Sequence, residues 1–298
     1  MKIDLQIHTD HSDGRDTPEQ IVIEAKKGNL DVIAITDHDI VSAISITTVE
    51  ADKVGIKVVP GVEISTGFRG QPLHILGYNI DPTNADLLGF LDSINQYRLN
   101  HFTGLIPQIN KLLIADGKSK IVGKRFKNKD PKYYSIPGVA LFLYEEGIVE
   151  GRNDGFAYLR SLPDAAPTIE PKDAFAIIHK AGGKAYFSHP FAPLISLKVL
   201  TDNKSEQEEI IKQFIKEGLD GLECYGTGHS PADTDFALQL VKKYNLLISA
   251  GSDWHGCLSK TGQTLKQLYL PYYLEKLGDL NIPQDKVIEI LKGLGVSL

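Results

Sequence analysis

Asp31–Asp39 reads Asp-Val-Ile-Ala-Ile-Thr-Asp-His-Asp. A nearly continuous apolar run, Asp31–Thr36, ends in two carboxylates flanking an imidazole. A short run of this kind is what a strand buried on both faces looks like, as in a parallel sheet covered by helices. In parallel α/β architectures the carboxyl ends of the strands converge on the ligand site. Asp37-His38-Asp39 therefore stands where such a strand delivers its chemistry.

The pattern repeats on both sides. Lys2–Ile7 reads as a strand, followed by a helix over Thr17–Gly28 with Thr17 at its N-cap and Pro18 in the first turn. A helix over about Ser42–Val54 follows, then strands at Lys57–Pro60, Val62–Thr66 and Leu73–Asn79. Further along, helical patterns at Lys172–Ala181, Ser205–Glu217 and Pro231–Tyr244 each precede a strand, at Lys184–Ser188, Leu219–Cys224 and Leu246–Ala250. A closing helix spans Gln284–Lys292. Alternation of this kind predicts parallel βαβ units. It breaks between about Asp81 and Ile169, where helical patterns run over Asn84–Ala115, Val139–Glu146 and Asp154–Arg160 around a basic stretch, Lys118–Pro131. The expected organisation is a barrel formed by 1–80 and 170–298, with 81–169 inserted as a helical lid. The loop Lys118–Lys129 is expected to be mobile without substrate.

The 298 residues suit a barrel of roughly 250 with one insertion. Hydrophobic residues at 42% and charged residues at 23% are ordinary globular usage, which excludes bulk disorder, collagen and a disulfide scaffold. No run approaches the ~20 apolar residues of a membrane span. Met1-Lys2-Ile3-Asp4 places an acid where a signal peptide needs an apolar stretch. Two cysteines, Cys224 and Cys257, form no disulfide framework, so a cytoplasmic location is expected. The net charge of −6 argues against an overall basic nucleic-acid footprint and leaves a local basic strip open.

The chemistry gathers just past the strands. Gln6-Ile7-His8-Thr9-Asp10-His11-Ser12-Asp13-Gly14 follows the first, Gly61-Val62-Glu63 lies in the third, His74 on the next, and then come His189-Pro190, His229 and Gly251-Ser252-Asp253-Trp254-His255. Of nine histidines, only His101 and His179 lie in helical patterns. Singly, such residues serve as turn and cap residues. Arriving together from separate strand ends, imidazoles and carboxylates suit Mn, Fe or Zn, with Mg open, and they exceed what one ion can hold.

The stretches His8–Gly14, Ile35–Asp39, Gly61–Ser65, His74–Tyr78, Phe187–Pro190 and Gly251–Gly256 resemble, in order, the motifs of the PHP (polymerase and histidinol phosphatase) family of metal-dependent phosphoesterases. The resemblance covers 1–80 and about 170–260. It places the insertion where the nucleotide phosphatase and exonuclease subgroup carries one. It implies an α/β fold, a distorted seven-stranded (β/α) barrel with an inserted helical subdomain, and hydrolysis of phosphate esters with two or three divalent ions. Carried over by position, His8, Glu63 and Asp253 would hold a first ion. Asp13, His38 and His255 would hold a second, and Glu63 with His74 and His189 a third. His229 resembles a position near the transferring phosphate and is the candidate acid for the leaving group. Two departures stand out. The family opens with His-x-His, and the first of these is Gln6 here, a weaker ligand that leaves Asp10 or His11 open as substitutes. The subgroup's Arg and His near its second insertion helix are replaced by Ser135-Ile136-Pro137-Gly138.

A metal-activated hydroxide attacking phosphorus is the expected chemistry. Arg98, Lys124 and Arg125 are the cations available to a substrate phosphate. The substrate is expected to be a small phosphomonoester of the nucleotide kind. An exonuclease acting on short RNA is the alternative, and a metal-binding regulatory domain without turnover is a third reading.

Overall fold

The computed structural model describes residues 1–127, 130–159, 162, 169–256 and 276–296. The chain runs β1 (Ile3–Ile7), α1 (Pro18–Lys27), β2 (Val32–Ile35), α2 (Ala43–Asp52), β3 (Lys57–Phe68) and β4 (Gln71–Tyr78). The segment after β4 holds α3 (Ala85–Ala115), α4 (Gly123–Lys127), α5 (Ile136–Glu145) and α6 (Arg152–Ala157). The barrel resumes with α7 (Pro171–Lys180), β5 (Lys184–Phe187), α8 (Leu197–Leu200), α9 (Lys204–Glu217), β6 (Gly221–Gly226), α10 (Pro231–Tyr244), β7 (Leu247–Gly251) and α11 (Gln284–Gly293).

The seven strands form one sheet in chain order. It nearly closes where Ile7 bridges Trp254 in parallel: the His8 amide donates to the Trp254 carbonyl at 2.9 Å and the Trp254 amide to the Gln6 carbonyl at 3.1 Å. The parallel pairing expected of the βαβ units holds for β1–β2–β3 and β5–β6–β7, whereas β4, which follows β3 with no helix between, is antiparallel to both neighbours. The cause is a tight hairpin. Phe68 pairs with Gln71, and Arg69 and Gly70 between them both take positive φ (51° and 77°), the backbone a two-residue turn needs.

The segments Lys57–Pro60 and Val62–Thr66, read as two strands, form one strand, β3. Its first half pairs with β2 and its second with β4. Gly61 sits at the changeover. A Cβ there would lie 3.0 Å from the Ile35 carbonyl oxygen and 3.2 Å from that of Gly77, so only glycine lets the strand pass between both neighbours undisturbed.

On β1 the period of two puts Ile3, Leu5 and Ile7 on one side and Asp4, Gln6 and His8 on the other, all of them buried. The apolar set packs in the main core with the buried faces of α1, α7, α9 and α11. Leu87, Leu91 and Ile94 of α3 join that core too. From Phe102 onward α3 contributes to a second apolar cluster with Ile121, Phe126, Phe142 and Leu143. Helix starts follow the sequence: Thr17 and Gln20 form a capping box on α1, as Ser230 and Asp233 do on α10.

Part of Lys118–Lys129 is built into that second cluster. Ile121 and Phe126 are buried, and Asn110 binds both backbone groups of Ile121. Residues 128–129, Arg160 and Cys257 lie outside the described residues. No helix among the described residues is long and apolar enough to cross a membrane.

Candidate metal centre

Six strands deliver the cluster, four of them from their ends. His8 follows β1, His38 follows β2, Glu63 lies on β3 and His74 on β4, His189 follows β5, and Asp253 and His255 follow β7. Asp13 reaches in from the loop after β1. That loop is shaped by Asp37, whose carboxylate accepts from the Thr9 amide at 2.7 Å, the Thr9 hydroxyl at 2.8 Å and the Ser12 hydroxyl at 2.5 Å. Asp37 therefore organises the loop and does not cap the next helix. Gly14 lets the loop fold back: a Cβ there would lie 2.4 Å from the His8 carbonyl oxygen. Asp39, His189 and Asp253 all carry positive φ (54°, 29° and 56°), strain of about 1–3 kcal/mol each that gathers where function usually does.

His8 is central. Its Nε2 lies 3.0 Å from Glu63 Oε2 and 3.2 Å from Asp253 Oδ1, and its ring stacks on His255 with centroids 4.2 Å apart. His255 Nε2 is 3.2 Å from Asp13 Oδ1. His38 Nε2 lies 3.8 Å from Glu63 Oε2 and 4.0 Å from Asp13 Oδ2. On the other side of Glu63, His74 Nδ1 and His189 Nε2 lie 3.2 and 3.3 Å from Oε1. All eight residues named from the sequence are thus brought together.

Burial alone would raise the carboxylates and lower the imidazoles. Against that cost, neighbouring imidazoles hold Asp13 and Glu63 well below the usual carboxylate range and Asp253 at about 2. His38 drops to about 3 because burial outweighs its carboxylate neighbours, whereas contacts with Glu63 carry His189 up to about 9.

The donor set fits divalent cations. Both His8 nitrogens, His38 Nδ1, His74 Nδ1, His189 Nδ1 and Glu63 Oε2 are buried without a hydrogen-bond partner, a costly state that coordination relieves. Three groupings bring ligand atoms within 4.8 Å of one another: His8, Asp13, His38 and His255; His38, Glu63 and His74; and His8, Glu63 and Asp253.

Two lobes of a cleft meet over the cluster and share Asp13, His38 and His74. One, of about 240 Å³, has an apolar wall of Pro137, Phe156, Ala192, Leu194 and Ile195. The other, of about 140 Å³, is lined by His11, Ser65, Arg98, Lys132, Tyr134 and Ser135. Arg98 sits there as expected, held 3.1 Å from Asp39 and donating to Ser65 at 2.5 Å.

The other two expected cations do not reach the cleft. Lys124 lines a separate cavity beside Thr103 and Pro107, and Arg125 pairs with Glu146 at 2.8 Å. Lys132, which the sequence reading passed over, lines the polar lobe instead. His229 is also displaced from its expected role. Its ring is buried, with Nδ1 on the Cys224 carbonyl at 3.2 Å and Nε2 accepting from the Phe191 amide at 3.3 Å. Burial lowers its pKa to about 4, so it ties two backbone segments together as a neutral ring. Glu223 was missed: buried on β6, it accepts from the His189 amide at 2.7 Å and holds that histidine's backbone. The available signal was an acid inside an apolar strand.

A nearly closed barrel whose strand ends crowd imidazoles and ionised carboxylates beneath a cleft defines a metal-dependent hydrolase. Residues 4–140 match the PHP domain. The chain is 30% identical to the 5′-3′ exoribonuclease Rnm of Escherichia coli, over 85% of this chain and 84% of the relative. It is 29% identical to a 3′,5′-nucleoside bisphosphate phosphatase of Chromobacterium violaceum, over 85% and 87%. A solved structure from Bifidobacterium adolescentis, assigned to the metal-dependent phosphoesterases, superposes with a TM-score of 0.74 at 26% identity, covering 98% of this chain and 96% of the other. The chain belongs to the PHP family and is a metal-dependent phosphoesterase.

Proposed function

We propose that this protein releases phosphate from a small nucleotide carrying more than one phosphate, with nucleoside 3′,5′-bisphosphates as the preferred class. The two-lobed cleft carries this reading. Its apolar wall suits a nucleobase, and its polar lobe, with Arg98 and Lys132, suits a second phosphate while the first lies over the cluster. The resemblance to the Chromobacterium phosphatase supports it.

His8, Asp13, His38, Glu63, Asp253 and His255 would hold divalent ions, which when bound would supply Lewis acidity and lower the pKa of water towards neutral. The protein's own groups do the rest. Asp13, Glu63 and Asp253 stay ionised and serve as ligands rather than bases. Arg98, fixed by Asp39 and Ser65, orients the substrate. The insertion, through Pro137 and Phe156, excludes water from the apolar lobe. Mn, Fe or Zn suits the mixed imidazole and carboxylate donors.

A second reading, 5′-3′ trimming of short RNA, rests on the Escherichia coli relative. The position of Lys124 and Arg125 outside the cleft weighs against a groove for several phosphates. Phosphate release from an adenosine 3′,5′-bisphosphate and from 5′-labelled short RNA, each with Mn, Fe, Zn or Mg, tests the two. Higher kcat/KM on the bisphosphate is expected; nucleotide release from RNA with no turnover of bisphosphates would overturn the proposal.

A further inference from the structure

The two oxygens of Glu63 are in opposite states. Oε2 is buried without a hydrogen bond, beside His8 Nε2 and His38 Nε2. Oε1 accepts from the Ser188 hydroxyl at 2.6 Å and from the Gln6 amide nitrogen at 3.1 Å, the two shortest of its contacts, with His74 Nδ1 and His189 Nε2 beyond them at 3.2 and 3.3 Å. The directions follow from donor arithmetic. Ser188 has one proton, and the short contact gives it to Glu63. Its oxygen then accepts, at 3.0 Å, from the Gln6 atom that also faces Oε1. An atom facing two acceptors must be the NH2, so the Gln6 oxygen, the only atom of this side chain able to ligate, points elsewhere, buried and unpartnered. A carbonyl-type oxygen has two lone pairs, and the two donors occupy both on Oε1.

We propose that Gln6 and Ser188 act as a clamp on Glu63 Oε1 that makes this a two-ion centre, with His74 and His189 as wall residues and not ligands of a resident third ion. Of the three groupings, two omit His74 and His189: His8, Glu63 and Asp253, and His8, Asp13, His38 and His255. The clamp predicts that the third, His38, Glu63 and His74, holds no resident ion. An ion between His74 and His189 would need Oε1 and would have to displace a serine and an amide held by side chains that are themselves fully buried. Gln6 is then a positioning residue that aims Oε2 at the ions without touching them.

This inference rests on the metal reading of the cluster and is tested by counting ions, independently of turnover. Full-length protein is dialysed against excess Mn2+, cleared of free ion and analysed for metal per chain, with circular dichroism as the check on folding. Wild type is expected to hold two equivalents, and His74→Ala also two. Gln6→His with Ser188→Ala, which removes both donors and adds an imidazole, is expected to hold three. Should that pair misfold, Ser188→Ala alone frees one lone pair and is expected to bind a third, weaker equivalent. Three equivalents in wild type, falling to two in His74→Ala, would overturn the clamp, as would one or none. A wild-type count of three leaves phosphate release from bisphosphates untouched. Failure of that release at two ions would instead remove the functional reading and leave the clamp standing.

Discussion

Asp4 lies wholly buried on the same side of β1 as Gln6 and His8. Its Oδ1 accepts from the Ser252 amide at 2.8 Å, while Oδ2 has no hydrogen-bond partner. Burial lifts its pKa from 3.8 to about 6, against the lowering effect of the Ser252 contacts. The folded-state value exceeds the unfolded one, so the stability this group contributes is complete below pH 3.8 and is lost as pH rises through about 6. A shift of about two pH units corresponds to roughly 3 kcal/mol. Asp4→Asn is therefore expected to raise the melting temperature at pH 8 relative to wild type and to show little gain at pH 4. Thermal melts at both pH values check this, and an equal gain at both would contradict the assigned cause. His229 invites the opposite comparison with Asp253. Truncating His229 leaves the Phe191 amide and Cys224 carbonyl unpaired, at about 1–3 kcal/mol each, so His229→Ala should lower the melting temperature by several degrees. Its turnover per folded molecule should stay within roughly tenfold of wild type. Asp253→Ala or His38→Ala, by contrast, removes a donor from the cluster and should cost roughly a hundredfold or more in turnover and lower the metal content. Steady-state rates normalised to folded protein separate the two classes.

At the scale of elements, the loop after β1 shows how tightly backbone and site are joined. A Cβ on Gly14 would meet the His8 carbonyl oxygen at 2.4 Å and that of Thr9 at 2.7 Å. Both are main-chain atoms, so no side-chain rotation relieves the contact. Gly14→Ala is expected to cost about 1–3 kcal/mol and to swing Asp13 off the cluster. Bound metal and activity should fall together while far-UV circular dichroism is preserved; unchanged metal content would show that Asp13 does not depend on this turn. The sequence made such loops legible because capping and turn chemistry are local: Thr17-Pro18 and Ser230-Pro231 start helices where their spacing says. Strand direction was not local. The hairpin at Arg69-Gly70 depends on an arginine accepting positive φ, which is unusual outside glycine, asparagine and aspartate, and so the direction of β4 was not readable. The site ligands were readable because imidazoles and carboxylates arrive together from separate strands, whereas any one of them alone serves as readily in a turn or cap. Asp4 and Glu223 escaped because each sits inside an apolar strand and, unlike Glu63 and His74, lies outside the motifs that the resemblance covers.

On the scale of the whole molecule, charge and cleft must be considered together. The chain is net negative, and its most basic stretch lies on the insertion. Proximity in sequence suggested that this stretch covers the substrate, but Phe126 and Ile121 anchor its described part in the second apolar cluster and direct Lys124 to another cavity. Among the described lysines and arginines of this region, Lys132, just beyond it, lines the polar lobe with Arg98. Lys132→Ala should therefore raise KM for a nucleoside bisphosphate about tenfold, the loss of one charge-assisted contact, while kcat stays within about twofold. Lys124→Ala and Arg125→Ala should leave both constants unchanged. Salt dependence gives the same discrimination from a different direction. A substrate held by one or two phosphate contacts should lose kcat/KM gently as salt rises, with a log–log slope of about −1 to −2, whereas a strand held along a basic groove would show a slope of several units. A steep slope on RNA that flattens in Lys124→Ala would return the basic stretch to the substrate path and make short RNA, rather than a bisphosphate, the molecule this cleft is built for.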